Sequence, residues 1–117
     1  MARYSCVTKL SGSNDQLNEA IRNLLERCRL TILHNSQDYW VAGEPPGEKP
    51  YTQLVTVEVL MDRARQGDSV QVTCIAKNEE LPLQSVNHCQ QRFHQLKAEF
   101  SQLQNQLQLA SSKRDPV

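Results

Sequence analysis

The sequence predicts an α+β fold in the order β-α-β-β-β-β-α, with a curved antiparallel sheet, two helices packed on one of its faces, and a long C-terminal helix. Two stretches in the middle of the chain alternate apolar and polar residues, which is the period of a half-buried strand. The last third repeats apolar residues at spacings of three and four, the period of an amphipathic helix. With 117 residues, the chain suffices for one ordinary domain with its own core.

The first quarter of the chain predicts a strand followed by a helix. Residues 3–9 are rich in β-forming residues and show no helical stripe. Ser13 is a good N-cap, and Gln16 three residues later completes a capping-box pattern. The helix that follows presents one apolar face, formed by Leu17, Ile21, Leu24, Leu25 and Cys28.

Four further strands are predicted between the two helices. Residues 30–33 and 39–42 predict a hairpin with a polar turn between them. Residues 44–50 contain three prolines and a glycine, a composition that favours a rigid exposed loop over a ladder or a helix. The alternation over residues 53–62 and 70–76 predicts two long strands that pair antiparallel across a turn.

The C-terminal helix has an apolar a/d seam with the spacing 3-4-3-4-3-4-3, formed by Val86, Cys89, Phe93, Leu96, Phe100, Leu103, Leu107 and Ala110. If residues 82–110 are all helical, with Pro82 in the first turn, the helix is ~43 Å long, whereas a nine-residue strand spans only ~30 Å. We therefore expect the helix to pass the end of the sheet, leaving Leu103, Leu107 and Leu109 without cover inside the chain. The alternative is a helix that ends near Gln104. The expected organisation is a single domain of residues 1–110 and a disordered tail of residues 111–117.

Two resemblances add to this description. The topology resembles the TATA-binding-protein-like and helix-grip group, in which a curved antiparallel sheet wraps a C-terminal helix. The segments 53–60, 77–84 and 87–89 resemble small uncharacterised cyanobacterial proteins. Neither resemblance implies an activity, because function does not follow from fold.

Charge and composition narrow the function classes. The 13 basic and 13 acidic side chains cancel, whereas a nucleic-acid binder normally has a basic excess. A local basic patch remains compatible with this balance. The chain has no apolar run near the ~20 residues that span a bilayer, and its N-terminus lacks the apolar segment of a secretory signal. We therefore expect a cytoplasmic protein that binds neither nucleic acid nor a membrane.

The residues able to carry chemistry form no recognisable site in the sequence. His88 and His94 are six residues apart, so on one helix they point to opposite sides and cannot share a metal. The four cysteines match no zinc spacing and are expected to be small buried hydrophobes. We therefore predict no catalytic residue, no metal and no cofactor. An enzyme would require a cleft that gathers His88 or His34 with a carboxylate or with Cys89.

Two smaller features have competing interpretations. Glu79 and Glu80 are interpreted as exposed carboxylates that complement the dipole at the start of the second helix. Trp40, the only tryptophan, is expected in the core, with a binding platform beside the proline loop as the alternative.

Two function hypotheses follow. The first is a non-catalytic interaction factor, with an assembly or regulatory role, that binds a protein partner or forms a homodimer through Leu103, Leu107, Leu109, Pro46 and Tyr51. The second is a carrier of a small apolar ligand, with a pocket between sheet and helix lined by Trp40, Val57, Val59 and Phe93. A solid core at those four residues would argue against the carrier.

Overall fold

The computed structural model describes residues 1–47, 49–63, 69–80 and 87–114, with side chains described as far as Leu107. Within these residues the chain forms the predicted order of strands and helices. The strands are β1 (Ala2–Ser11), β2 (Thr31–Asn35), β3 (Tyr39–Gly43), β4 (Thr56–Arg63) and β5 (Ser69–Asn78). The helices are α1 (Asn14–Arg27) and α2 (His88–Arg114), with a short 3-10 helix at Tyr51–Gln53.

The sheet is antiparallel throughout, with the strand order β1-β5-β4-β3-β2. The longest ladder joins β1 to β5 and runs from the Ala2–Asn78 pair to the Ser11–Ser69 pair. At the opposite edge, a register shift between Ile32 and His34 bends β2 against β3. The first strand of the chain therefore pairs with the last strand. Next to β5 lie β4, β3 and β2, in the reverse of their order along the chain.

The core occupies one face of the sheet, here called the inner face. Alternate residues of the strands are buried on it, including Leu10, Ala42, Val57, Val59, Met61, Val70, Val72, Cys74 and Ala76. The predicted apolar face of α1 packs there through Leu17, Ile21, Leu24 and Leu25. The apolar seam of α2 packs there through Cys89, Phe93, Leu96, Phe100, Leu103 and Leu107. Both helices therefore cover the same face, as predicted.

The ends of α1 are fixed by hydrogen bonds near its termini. Ser13 Oγ accepts a hydrogen bond from the Gln16 amide at 3.2 Å, which confirms the predicted N-cap. At the other end, the Arg29 amide donates to the Glu26 carbonyl at 2.9 Å and the Leu30 amide to the Leu25 carbonyl at 3.1 Å. These two bonds form a Schellman motif, in which the position of Arg29 is usually taken by glycine. Arg29 has φ 61°, in the left-handed region.

The long helix α2 runs beside β1 in the same direction. The Cys89 sulfur lies 3.9 Å from the Ala2 carbonyl oxygen, and Gln104 Nε2 donates to the Lys9 carbonyl at 3.0 Å. Between these two contacts the helix rises ~22 Å along its axis and the strand extends ~23 Å, so the two elements span the same length of the sheet. α2 continues to Arg114, and its last turns pass the end of β1.

Both ends of α2 differ from the prediction. The helix begins at His88, where the Gln90 amide donates to Asn87 Oδ1 at 3.2 Å, so Asn87 is the cap. Residues 81–86, which include Pro82 and Val86, lie outside the described residues. Residues 111–114 of the expected tail are helical, and residues 115–117 lie outside the described part. Neither α1 nor α2 combines the length and apolar character that crossing a bilayer requires.

Candidate binding surfaces

The apolar seam of α2 faces the protein's own sheet. Leu103 and Leu107 are only 7% and 8% exposed and belong to the core. The expectation that they lack cover is therefore wrong. That expectation assumed that the helix starts at residue 82. Because α2 starts six residues later, at His88, each seam residue lies ~9 Å closer to the end of the sheet at which the helix begins. The side chain of Leu109 lies outside the described residues, and a partner-binding role of the helix end stays a prediction.

The four residues proposed to line an apolar pocket are core residues. Trp40, Val57 and Val59 are fully buried, and Phe93 stacks on the ring of Tyr4 with 5.6 Å between centroids. The cavities described below are lined by other residues. Trp40 is thus the core residue that the sequence favoured, and the guanidinium of Arg22 lies 5.4 Å from its ring centroid.

The outer face of the sheet, opposite the helices, carries an apolar row across four strands. In the pairing, Val7 lies opposite Thr73, Thr73 opposite Leu60, and Leu60 opposite Tyr39. Val7 is 58% exposed and Leu60 40% exposed. At the β2 edge, the side chain of Leu33 lies over Gly43. It lies so close that a Cβ atom at residue 43 would be only 3.3 Å from Leu33 Cδ1. This face therefore presents apolar side chains to solvent.

The two predicted loop residues, Pro46 and Tyr51, lie together at the margin of this face. They line one groove of about 360 Å³ with the exposed side chains of Met1 and Leu33. Its floor includes Gly43, Thr56 and Lys77, which pair across β3, β4 and β5 on the outer face. Within the described residues, Met1, Val7, Leu33, Tyr51 and Leu60 are the exposed large apolar side chains, and we call them the outer apolar surface.

A buried charge cluster lies where the end of β3 meets the start of α2. The two carboxylate oxygens of Glu44 lie 2.8 and 2.9 Å from His88 Nε2. Arg92 Nε donates to the same carboxylate at 2.8 Å, and so does the Val55 amide, also at 2.8 Å. Burial raises the pKa of Glu44, but the hydrogen bonds from Val55, His88 and Arg92 outweigh it and hold the pKa below its usual range. Glu44 is therefore ionised at neutral pH.

A second buried carboxylate, Glu80, binds the first two backbone amides of α2. It accepts hydrogen bonds from the amides of Cys89 at 2.9 Å and His88 at 3.3 Å, and from Asn78 Nδ2. The predicted dipole role is confirmed for this residue, but the predicted exposure is wrong, because Glu80 is 6% exposed. Burial raises its pKa, and the bonds from Asn78 and the two amides lower it further than burial raises it. Glu79 beside it is exposed, as predicted.

The contact between His88 and Glu44 brings a histidine together with a carboxylate, which is the arrangement that an enzyme was expected to require. Arg92 binds the same carboxylate, so Glu44 already has a cationic partner besides the histidine. Burial raises the pKa of the adjacent Cys89 to about 11, and the nearby carboxylates of Glu80 and Glu44 add to this. Cys89 is therefore a protonated thiol at neutral pH and supplies no nucleophile. The cluster can hold charged groups in fixed positions.

Two adjoining hollows open beside Glu44 and share Arg29, Glu44 and Arg92 in their walls. The first, of about 570 Å³, lies between the end of α1 and the first turns of α2 and adds Arg27, Cys28, His88 and Gln95. The second, of about 630 Å³, lies under the proline loop and adds Pro45, Gly47, Lys49, Pro50, Gln53 and Leu54. We call the two hollows together the basic cleft. Sequence reasoning missed it, because Glu44 and Arg92 are 48 positions apart and form no local pattern.

Comparison with known proteins finds proteins of similar fold and gives no indication of activity. No protein-family model matches the chain, and no curated protein matches it significantly. An uncharacterised protein from Bacillus thuringiensis superposes with a TM-score of 0.67 at 10% identity, over 91% of this chain and 98% of that one. A protein from Deinococcus radiodurans gives 0.61 at 10% identity, over 93% and 99%. A protein from Cytophaga hutchinsonii gives 0.58 at 12% identity, over 97% and 96%.

These three likenesses confirm that the α+β arrangement is one that several bacterial proteins adopt over nearly their whole length. Identities of 10–12% carry no information about activity or ligand. The resemblance to cyanobacterial proteins gains no support from them. The chain is therefore similar in fold to uncharacterised bacterial proteins.

Proposed function

We propose that this chain is a non-catalytic interaction protein that binds a second copy of itself through the outer apolar surface. The observation that carries the proposal is the placement of the exposed large apolar side chains. All five that the described residues contain lie on the outer face or on the groove at its margin. Exposed apolar side chains gathered on one face indicate an interface, whereas apolar side chains scattered singly over the surface need no explanation.

The size and charge of this face suit a second copy. Strand spacings of ~4.8 Å and ~3.3 Å per residue give the five-stranded face an area of roughly 600–800 Å², close to the ~800 Å² per partner of a stable interface. Glu58 and Lys77, which project from this face, are paired with each other at 3.0 Å. The other charged residues that the structure describes on the face, Arg3, Lys9 and Asp62, lie towards its two ends. Two such sheets would pack face to face, as in a β-sandwich.

The end of α2 is the other candidate for the interface. The turns after Leu107 pass the end of β1, and in the sequence they contain Leu109 and the last seam residue, Ala110. We keep this helix end as the second interaction surface, and the experiment below separates it from the outer face.

Molar mass measured by light scattering over a range of protein concentrations tests the proposal. We expect a dimer for the native chain and a monomer for Leu60→Lys, which places a charge in the middle of the outer apolar row. The matched control is Gln90→Lys, which adds the same charge at an exposed position of α2 and should remain a dimer. Thermal unfolding checks that all three proteins are folded.

Two results would contradict the assignment of a self-association interface to the outer apolar surface. A native chain that is monomeric at every concentration rules out self-association. A chain ending at Leu107 keeps the described core, so its dissociation, with Leu60→Lys still dimeric, would assign the interface to the helix end.

A further inference from the structure

The basic cleft concentrates positive charge in a chain whose net charge is zero. Among the described residues, its walls carry the cationic side chains of Arg27, Arg29, Lys49 and Arg92 and one carboxylate, that of Glu44. Arg27 pairs with Glu99 at 3.1 Å, and Arg92 pairs with Glu44 at 2.8 Å. Within the described residues, Arg29 and Lys49 have no acidic partner. In the part of the cleft that the structure describes, two positive charges therefore remain after both ion pairs are counted, and positive charges of this kind attract an anion.

Arg92 is held in place before any ligand arrives. Its Nε donates to Glu44 at 2.8 Å and its Nη1 donates to Gln95 Oε1 at 2.7 Å. Glu44 is itself fixed by the Val55 amide at 2.8 Å and by His88. A guanidinium held at two of its three nitrogens, Nε and Nη1, keeps its remaining N–H groups as a fork in a defined direction. Such a fork suits the oxygens of a carboxylate or a phosphate.

Arg29 provides a second, independent observation. It has φ 61° at the position of a Schellman motif where glycine is free of strain, yet the residue is an arginine. The left-handed conformation costs energy for any residue with a Cβ. Here that conformation places the arginine in the wall shared by both hollows. Strained residues of this kind concentrate at ligand-binding sites.

The two hollows differ in character, which indicates the shape of the ligand. The hollow under the proline loop includes Pro45, Pro50 and Leu54, and its volume of about 630 Å³ lies in the range of small-molecule pockets. The hollow between the helices is lined mainly by charged and polar residues, including Arg27, His88 and Gln95. Arg29 and Arg92 stand between the two. We propose that the basic cleft binds a small organic anion, whose carboxylate or phosphate group lies against Arg29 and Arg92 and whose apolar body lies under the proline loop.

Isothermal titration of the native chain with four probes tests this site: phenyl phosphate, benzoate, inorganic phosphate and benzyl alcohol. Phenyl phosphate and benzoate should bind, more weakly as salt is raised, and the tighter of the two identifies the anionic group. Inorganic phosphate should bind more weakly than phenyl phosphate because it lacks the apolar body. Benzyl alcohol, which has the body without the charge, should not bind measurably.

The decisive variant is Arg29→Gly. It removes one cationic group and also relieves the left-handed strain, so it should bind the anionic probes at least tenfold more weakly while its Tm rises. Loss of a charged hydrogen bond corresponds to roughly tenfold or more in affinity. The control Lys97→Ala removes an exposed positive charge elsewhere on α2 and should bind like the native chain.

Three results would overturn the site. They are unchanged binding by Arg29→Gly, benzyl alcohol binding as tightly as benzoate, and the absence of binding by both anionic aromatic probes. Inorganic phosphate binding as tightly as phenyl phosphate would overturn the assignment of the proline-loop hollow to the ligand body. None of these results depends on the oligomeric state, so the site and the self-association proposal stand or fall separately.

Discussion

Arg92 Nε donates a hydrogen bond of 2.8 Å to Glu44 Oε2 and thereby joins the second turn of α2 to the end of β3. Both side chains are mostly buried, at 16% and 9% exposure. The pair therefore stabilises the fold and also shapes the wall of the basic cleft.

Replacing Glu44 by Gln should destabilise the protein by about 2–3 kcal/mol, because it leaves Arg92 buried without its counter-charge and weakens the bond to His88. Urea denaturation measures the change. The matched control is Glu99→Gln, which removes the partner of the exposed Arg27 and should cost less than about 1 kcal/mol. Equal losses in the two variants would show that the Glu44 cluster is no more important than a surface ion pair.

The stability of the native chain should fall in acid. The pKa values of Glu44 and Glu80 are lowered in the folded state relative to 4.5, so the unfolded chain takes up protons first. Their contribution is complete above about pH 4.5 and is lost as the pH falls from there through the folded-state pKa values. Urea midpoints between pH 7 and pH 3 measure it, and Glu44→Gln should show a shallower decline. A midpoint independent of pH in this range would contradict the two lowered pKa values.

Arg29→Gly should stabilise the fold by about 1 kcal/mol, because glycine adopts the left-handed conformation without strain. In a domain of this size that corresponds to a rise in Tm of roughly 3–6 °C. Arg29→Ala is the control, since it removes the charge and keeps the Cβ in the left-handed region, and its Tm should not rise by that amount. If both variants gain equally, the charge is the source of the instability.

Leu107→Ala should destabilise the chain by about 2 kcal/mol if the seam of α2 is covered by its own sheet, because a buried leucine leaves a cavity when truncated. The neighbouring exposed Gln106 provides the control, and Gln106→Ala should be nearly neutral. Both are measured by urea denaturation at a concentration where the protein is monomeric. A neutral Leu107→Ala would restore the expectation that this residue is uncovered.

Cys6 should be the cysteine that alkylating reagents modify first. Cys6 is half-buried, whereas Cys28, Cys74 and Cys89 are buried, and the neighbouring thiol of Cys74, opposite on β5, lowers the pKa of Cys6 in spite of partial burial and with some help from Lys97. Burial instead raises the pKa of Cys28 and Cys89. Mass spectrometry after brief iodoacetamide treatment at neutral pH measures the order of labelling.

Cys74→Ala removes the neighbouring thiol and should slow the labelling of Cys6, while the thermal unfolding curve shows whether the variant is folded. Preferential labelling of Cys28 or Cys89 in the folded protein would contradict the assignment.

The sequence by itself determined the elements and the faces they bury. The alternation around Val57 and Val59, the stripe of α1 and the seam from Cys89 to Leu107 each report local geometry, since side-chain direction repeats every 2 residues in a strand and every 3.6 in a helix. The same holds for the Ser13 cap, whose partner is three residues away. Signals of this kind lie within one element and can be read without knowing its neighbours.

Only the tertiary structure decided the contacts between segments that are distant in the sequence. The pairing of β1 with β5 joins the two ends of the sheet-forming chain, and the start of α2 at His88 sets which leucines are covered. Glu44 meets Arg92 because β3 ends beside the first turns of α2, across 48 positions. Contacts of this range leave no periodic pattern, because each residue's own neighbours in sequence are unaffected by them. The folded chain alone therefore brings together the basic cleft and the outer apolar surface.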